Sequence, residues 1–207
     1  MTIAAELRSL SVKEYHRMVD AGILAADERV ELIEGQLYTM AAKGTAHSAA
    51  VTRIDRVLSR LLMGRALLRF QDPVQLSDIS EPEPDVAVVK IDPLDYEDHH
   101  PTPGEIFWLI EVADSTLRRD RDLKMPVYGR SGIREYWILD VQERCLHVFR
   151  EPGQTGYGVQ QTLSEQDTLA PLAFPDCEIA IWEFLRWAKP GRRPSHPQKP
   201  DQDCVEH

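Results

Sequence analysis

Cysteine is scarce in these 207 residues, with only Cys145, Cys177 and Cys204 present. The number is odd and no CxxC spacing occurs, which excludes a disulfide framework and a zinc ribbon and points to a reducing, cytoplasmic setting. Nowhere does the chain approach the roughly 18 uninterrupted apolar residues that span a bilayer, so no membrane association is expected. The opening Met1-Thr2-Ile3-Ala4-Ala5-Glu6 lacks both a basic region and a long apolar run, so it does not read as a signal peptide. A Gly-rich phosphate loop, a GxSxG elbow and an HExxH helix are all missing. Positive charge is short too: 24 Lys and Arg face 34 Asp and Glu, for a net charge of −10. That balance excludes a protein that coats nucleic acid non-specifically, because such binding is driven by lysine and arginine.

What remains is an ordinary globular composition, 43% hydrophobic and 28% charged. The length suits one domain with a core of its own, placed at residues 1–189. Residues 190–207 begin Pro190-Gly191-Arg192-Arg193-Pro194, carry almost no apolar content and read as a disordered tail. Charge is unevenly spread. Acids crowd between Asp78 and Asp98, bases between Arg53 and Arg69 and again between Arg118 and Arg134. A locally basic face on an acidic protein can hold a phosphate backbone. Solvated helix faces account for each basic run equally well.

Local patterns outline the elements. Ser11-Val12-Lys13-Glu14 is a capping-box pattern opening a short helix that stops near Gly22. Val30 to Tyr38 reads as a hairpin around Glu34-Gly35. From Thr45 to Leu62, Val51, Ile54, Leu58, Leu61 and Leu62 keep helical spacing, while Arg53, Arg56 and Arg60 share another face. Strands are expected at Ala66 to Phe70, Pro73 to Leu76 and Glu135 to Val141, and a closing helix at Ile179 to Trp187. Asp85-Val86-Ala87-Val88-Val89 and Ile106 to Val112 are nearly all-apolar runs, as in strands buried on both faces. A helix around Lys124 joins the second run to the strand at 135, making a parallel βαβ unit. Arg144 to Arg150 alternates like an antiparallel neighbour. The expectation is a mixed α/β sheet flanked by helices and preceded by a hairpin.

The chemistry sits on two acids. Asp85 follows Glu81-Pro82-Glu83-Pro84, whose prolines hold the approach to the strand extended. Glu111 lies inside an apolar run, where a carboxylate needs a metal, a cation or a donor. Two carboxylates at adjacent strand ends suffice for Mg²⁺, which keeps several waters, and Mn²⁺ would serve as well. Lys124 falls four residues after Asp120 and four before Tyr128, on one helical face where it can reach the same strand end. Plainer roles compete: a strand-edge cap for Asp85, and an i,i+4 ion pair with Asp120 for Lys124. Glu34 and His47 are candidates for a supporting acid or third ligand, although a turn glutamate and a lone histidine are commonly surface residues. The pair His99-His100, in a proline-rich loop, reads as exposed and inert. Arg118, Arg119 and Arg121 open a helix, where cations oppose the dipole, which hints at an anionic partner.

Several segments together resemble the Uma-type family of restriction-endonuclease-like proteins. They are Glu31-Leu32-Ile33-Glu34-Gly35, Gln71-Asp72-Pro73-Val74, Ser80-Glu81-Pro82-Glu83-Pro84-Asp85 and Glu111-Val112-Ala113-Asp114-Ser115. Asp120-Arg121, Lys124, Tyr128 and the run from Gly132 to Asp140 follow in order, so the likeness covers about 11 to 187. It implies the PD-(D/E)XK nuclease fold, with Pro84-Asp85 as its proline-aspartate and Glu111 as its second acid. Ala113 stands where the superfamily signature has lysine, and the Uma-type pattern carries its lysine on the next helix, here Lys124. The leading expectation is a Mg²⁺-dependent DNA endonuclease: Asp85 and Glu111 hold metal, Lys124 assists, Glu34 supports, and Arg53, Arg56, Arg60 and Arg118 bind DNA. Cutting both strands suggests a homodimer; Trp182, Phe184, Leu185 and Trp187 could supply an interface, although core packing is their plainer role. The alternatives are a non-catalytic nucleic-acid-binding or interaction module on the same fold, and a metal-dependent hydrolase of a smaller phosphate compound.

Overall fold

The computed structural model describes residues 8–25 and 27–185. The tail expected at 190–207 lies outside the described residues. Helix α1, Val12–Asp20, begins at Ser11, where both halves of the capping box form: Ser11 Oγ accepts from the Glu14 N–H and the Glu14 carboxylate accepts from the Ser11 N–H. Strands β1, Val30–Ile33, and β2, Gln36–Thr39, make the hairpin. Its turn residues Glu34 (φ 49°) and Gly35 (φ 77°) both lie in the left-handed region, as a two-residue hairpin turn requires. Gly35 is needed for a second reason: a Cβ there would sit 2.3 Å from Ser9 Cβ. Helix α2 spans Thr45–Leu62 and buries His47, Ala50, Ile54, Leu58 and Leu62 along one stripe.

Six strands form the central sheet: β3 (Leu67–Arg69), β4 (Val86–Val89), β5 (Ile106–Ala113), β6 (Glu135–Asp140), β7 (Cys145–Gly153) and β8 (Gly156–Ser164), neighbours in that order. Only β5 and β6 run parallel, and every other neighbouring pair is antiparallel. The crossover between the parallel pair is helix α3, built of three abutting segments: Leu117–Arg119, a π-helical turn Asp120–Lys124, and Met125–Arg130. Pro126 gives the turn a cause. It has no N–H for the carbonyl of Asp122 and its ring crowds that carbonyl, so the chain widens just upstream. The Met125 N–H reaches back five residues to the Asp120 carbonyl.

Strand alternation splits the core in two. Val86, Val88, Trp108, Ile110, Val112, Trp137 and Leu139 face α2 and pack in one cluster. Ala87, Val89, Leu109, Ala113, Tyr136 and Ile138 face the other way, with Val127 and Tyr128 of α3. A closing segment pairs β9 (Thr168–Leu169) with β10 (Ile179–Ala180) and ends in α4, Trp182–Leu185. The helix expected from Ile179 is thus shorter: Ile179 and Ile181 are both buried, the period-two pattern of an extended chain, and Trp187 lies outside the described residues. Pro73 to Leu76 is not a strand either. Val74 donates to the Pro82 carbonyl at 3.0 Å, Leu76 to that of Ser80 at 2.9 Å and Gln75 to that of Pro101 at 3.0 Å. With prolines at 73, 82 and 84 no continuous ladder can close. Among the described residues, no helix is long and apolar enough to cross a membrane.

Candidate active site

Register brings the two acids together. Val86 pairs with Ile110 in the antiparallel β4–β5 ladder, so the next step along places Asp85 beside Glu111. The Asp85 N–H donates to Glu111 Oε2 at 3.3 Å, and the Val112 N–H donates to Asp85 Oδ2 at 2.9 Å. His47, in the first turn of α2, bonds the same Asp85 oxygen through Nε2 at 2.9 Å, and Gln71 donates to Asp85 Oδ1 at 3.2 Å. The His47 Nδ1 is buried with no hydrogen-bond partner.

Glu111 lies on the face of β5 that looks toward α3, and α3 answers it twice. Lys124 Nζ donates to Glu111 Oε1 at 2.9 Å, and the Tyr128 hydroxyl donates to that oxygen at 2.9 Å. The ammonium also sits 3.0 Å from Glu31 Oε2 and 3.2 Å from the Glu83 carbonyl. Glu31, from β1, additionally pairs with Arg119 and accepts from the Glu83 N–H. Asp120 is capped by the Thr116 hydroxyl at 2.8 Å. Glu31, Asp85, Glu111, Asp120 and Lys124 line a small cleft of about 70 Å³, together with Ala42, Lys43 and Gly44 before α2.

Burial without enough positive charge sets the electrostatics. Glu111 is pushed well above the ordinary carboxylate range by burial, which Lys124 opposes and Asp120, Asp85 and Glu31 reinforce. Asp120 is raised to about 6 by burial, partly offset by Lys124 and the Thr116 hydrogen bond. Burial also raises Glu83, against the charge of Arg29. Asp85 differs: burial pushes it up, but His47, the Val112 N–H and Lys124 outweigh that and hold it below the ordinary value. Lys124 moves up, because the surrounding acids overcome the burial that would discharge it. Burial and nearby Arg29 lower Lys43.

Asp85, Glu111 and Lys124 are therefore brought to one point, with His47 behind Asp85. Glu34 is not among the cleft residues; it projects from the hairpin turn and pairs with Arg130 at 2.5 Å. Its place is taken by Glu31, three residues earlier. The signal for Glu31 was visible, an acid inside the apolar run Val30-Glu31-Leu32-Ile33, the same pattern that singled out Glu111. Arg56 and Arg60 are exposed on α2 and Arg53 is half-buried, with Arg60 paired to Glu183 at 3.3 Å. Arg118 is exposed and pairs with Asp122 at 3.3 Å. It lines a shallow groove of about 670 Å³ that shares Ala41, Ser115, Thr116 and Arg119 with the cleft. Phe184 and Leu185 take the plainer of their two expected roles and are buried in the core, with the Phe184 ring against Trp137.

The donor set fits a divalent cation. Asp85 is held below its ordinary value, and Glu111 and Asp120 are raised first by burial and then by the neighbouring acids, against the charge of Lys124. A two-carboxylate site leaves most coordination positions to water, which suits Mg²⁺. The groups of three ligands within 4.8 Å of one another lie elsewhere among the described residues, at His16, Glu81 and His100 and at Asp140, Cys145 and His147.

Comparison with known proteins agrees with this architecture. The model of the Uma2 family, described as "Putative restriction endonuclease", matches residues 12–182. A crystal structure of a protein from Anabaena variabilis, titled a putative nuclease belonging to DUF820, superposes with a TM-score of 0.63. The two sequences are 16% identical, and the match covers 84% of this chain and 97% of the other. No curated protein matches the chain.

Proposed function

The chain belongs to the Uma2 family, and from that premise we propose that it is a Mg²⁺-dependent endonuclease hydrolysing DNA phosphodiester bonds. The observation that carries this reading is the meeting of Asp85, Glu111 and Lys124 at one end of the sheet, in a cleft with excess negative charge. Asp85 and Glu111 would hold the metal. When bound, Mg²⁺ lowers the pKa of a coordinated water and neutralises charge on the phosphate, and Mn²⁺ would substitute. Lys124 supplies a fixed cation beside Glu111 that orients the attacking water or stabilises the pentavalent phosphate. Glu31 and Tyr128 hold Lys124 and Glu111 in place, and His47 holds Asp85. The DNA backbone would follow the groove past Arg118, with Arg53, Arg56 and Arg60 on α2 adding contacts. Cleavage of both strands calls for two centres, hence a two-fold homodimer; sedimentation showing only monomer at micromolar concentration counts against it.

Supercoiled plasmid is the test substrate. The protein should nick or cut it with Mg²⁺ or Mn²⁺, stop with a chelator, and lose activity in Asp85→Asn and Glu111→Gln. One observation favours a second reading, a non-catalytic nucleic-acid-binding module. Glu111 is already satisfied by Lys124, Tyr128 and the Asp85 N–H, as in a closed structural network. Salt-sensitive binding without cleavage under any divalent metal would select that reading. If DNA is neither bound nor cut, both fall.

A further inference from the structure

Glu81 is four residues before Asp85 and faces a different set of partners. Its side chain is 1% exposed, and Oε1 accepts from His16 Nε2 of α1 at 2.6 Å. Its second oxygen, Oε2, is buried and has no hydrogen-bond partner, and neither has the buried Nδ1 of His100. Unpartnered polar atoms buried on two residues of one cluster are costly unless something else satisfies them. One ligand atom from each of His16, Glu81 and His100 lies within 4.8 Å of the others. The His16 and His100 rings stand edge-on with centroids 6.4 Å apart.

We propose that His16, Glu81 and His100 form a transition-metal site that takes Zn²⁺, separate from the acids of the cleft. Two imidazoles and one carboxylate select a borderline metal over Mg²⁺. Metal–ligand bonds of about 2.0–2.1 Å put tetrahedral ligand atoms roughly 3.3 Å apart. The His16–Glu81 contact of 2.6 Å therefore opens slightly as His100 draws in, a matter of side-chain rotation. His16 keeps 48% of its side chain in solvent, which leaves the fourth position to water. The opposing charge is Arg69, which is itself balanced by Asp72 at 3.6 Å and lies over the Tyr96 ring at 5.6 Å. The other three-ligand group is less suited: Asp140 Oδ1 already accepts from the N–H groups of Gln142 and Glu143, and His147 Nδ1 is engaged by Thr162.

The three ligands come from α1, from the segment that feeds β4, and from the β4–β5 connection. Extended chain advances about 3.3 Å per residue, so Glu81 lies on the order of 13 Å along the backbone from Asp85. That is too far for two metals to share one phosphate, which catalytic pairs do at about 3.5–4 Å. The role assigned here is a clip. It fastens α1 and the β4–β5 connection to the segment that carries Glu83 and Asp85.

Calorimetric titration of the full metal-free chain with Zn²⁺ tests this. One tight equivalent is expected, lost or weakened on the order of 100-fold in His16→Ala and in His100→Ala, and kept in Asp85→Asn and Cys145→Ser. Thermal unfolding should move up by roughly 5–10 °C at a hundredfold excess over the dissociation constant. Co²⁺ in the wild-type protein gives a reading that needs no variant: visible d–d bands without a thiolate charge-transfer band fit two histidines and a carboxylate. A thiolate band would place the metal at Cys145 and overturn the proposal. So would retention of the equivalent in both histidine variants, its loss in Asp85→Asn, or no binding at micromolar Zn²⁺. None of these readouts depends on DNA cleavage, so this inference and the nuclease reading fail separately.

Discussion

Glu111 and Glu135 are both buried glutamates on the parallel strand pair, at opposite ends of it. Glu135, at the start of β6, is closed on itself by protein. Arg150 holds Oε1 through Nε at 2.8 Å and through its terminal nitrogen at 2.6 Å, Trp137 Nε1 adds a bond at 2.9 Å, and the Leu172 N–H takes Oε2 at 2.7 Å. Glu111, near the end of β5, shares its cation with Glu31 and borders a cleft where further acids outnumber the bases. The first arrangement binds the sheet to the segment at 170. The second has negative charge left for an external cation, and it sits where parallel strands end, the customary place for a ligand. A buried acid is thus a question, and its surroundings answer it.

Four measurements sharpen or break that contrast. The largest effect is expected at the cleft. Asp85→Asn and Glu111→Gln should each lower plasmid cleavage by at least about a thousandfold, the scale of losing a positioned charge in the transition state. Without metal the unfolding midpoint of Glu111→Gln should hold or rise, because burial disfavours that charge, whereas that of Asp85→Asn should fall, because His47 and the Val112 N–H favour the Asp85 charge. A sharp loss of stability in Glu111→Gln would make Glu111 a second Glu135. Next comes Lys124→Ala, with a loss of two or three orders of magnitude in rate per folded molecule.

Asp120 offers a pH test. Its folded pKa of about 6 exceeds the ordinary value of 3.8, so the folded state holds its proton more tightly than the unfolded chain does. The associated stability is present below about pH 4 and is lost as pH rises through about 6, by up to about 3 kcal/mol. Asp120→Asn should therefore be more stable than the parent at pH 7.5 and indistinguishable from it at pH 4 in metal-free denaturant titrations. Equal gains at both pH values would remove Asp120 from the charge-crowded cluster. The smallest effect belongs to the other glutamate. Glu135→Gln should cost about 2 kcal/mol by breaking a charge-assisted pair in which Arg150 gives two N–H groups to one carboxylate oxygen, with cleavage per folded molecule unchanged. Lost activity in the folded variant would undo the division between the two ends.

The resemblance and the local patterns carried much of this site. Asp85 and Glu111 stand out because each interrupts or borders an apolar run, and β pairing then sets them side by side. Lys124 and Tyr128 stand out by i,i+4 spacing, although the helix that carries them contains a π turn that spacing did not reveal. Glu34 and Glu31 share the same hairpin, and the former drew notice through its turn. Strand direction decides between them: Glu31 points into the cleft while Glu34 turns out to Arg130. His100 read as inert because its neighbours in sequence are polar and proline-rich, and its neighbours in space, Glu81 and His16, come from 19 and 84 residues away.

Sequence alone determined the elements that depend on short-range rules. The capping box at Ser11, the left-handed turn at Glu34-Gly35, the stripe of α2 and the apolar runs of β4 and β5 need only neighbours a few residues apart. Tertiary structure alone decided what depends on distant backbone. Proline-poor pairing partners were not available to Pro73–Leu76, so it forms no strand. Period-two burial overrode a helix at Ile179, and contact with β1 and α3 separated Glu111, which borders open space, from Glu135, which does not. A buried charge is stabilised by whatever packing brings within a few ångströms of it, and that set is assembled from segments far apart in the chain.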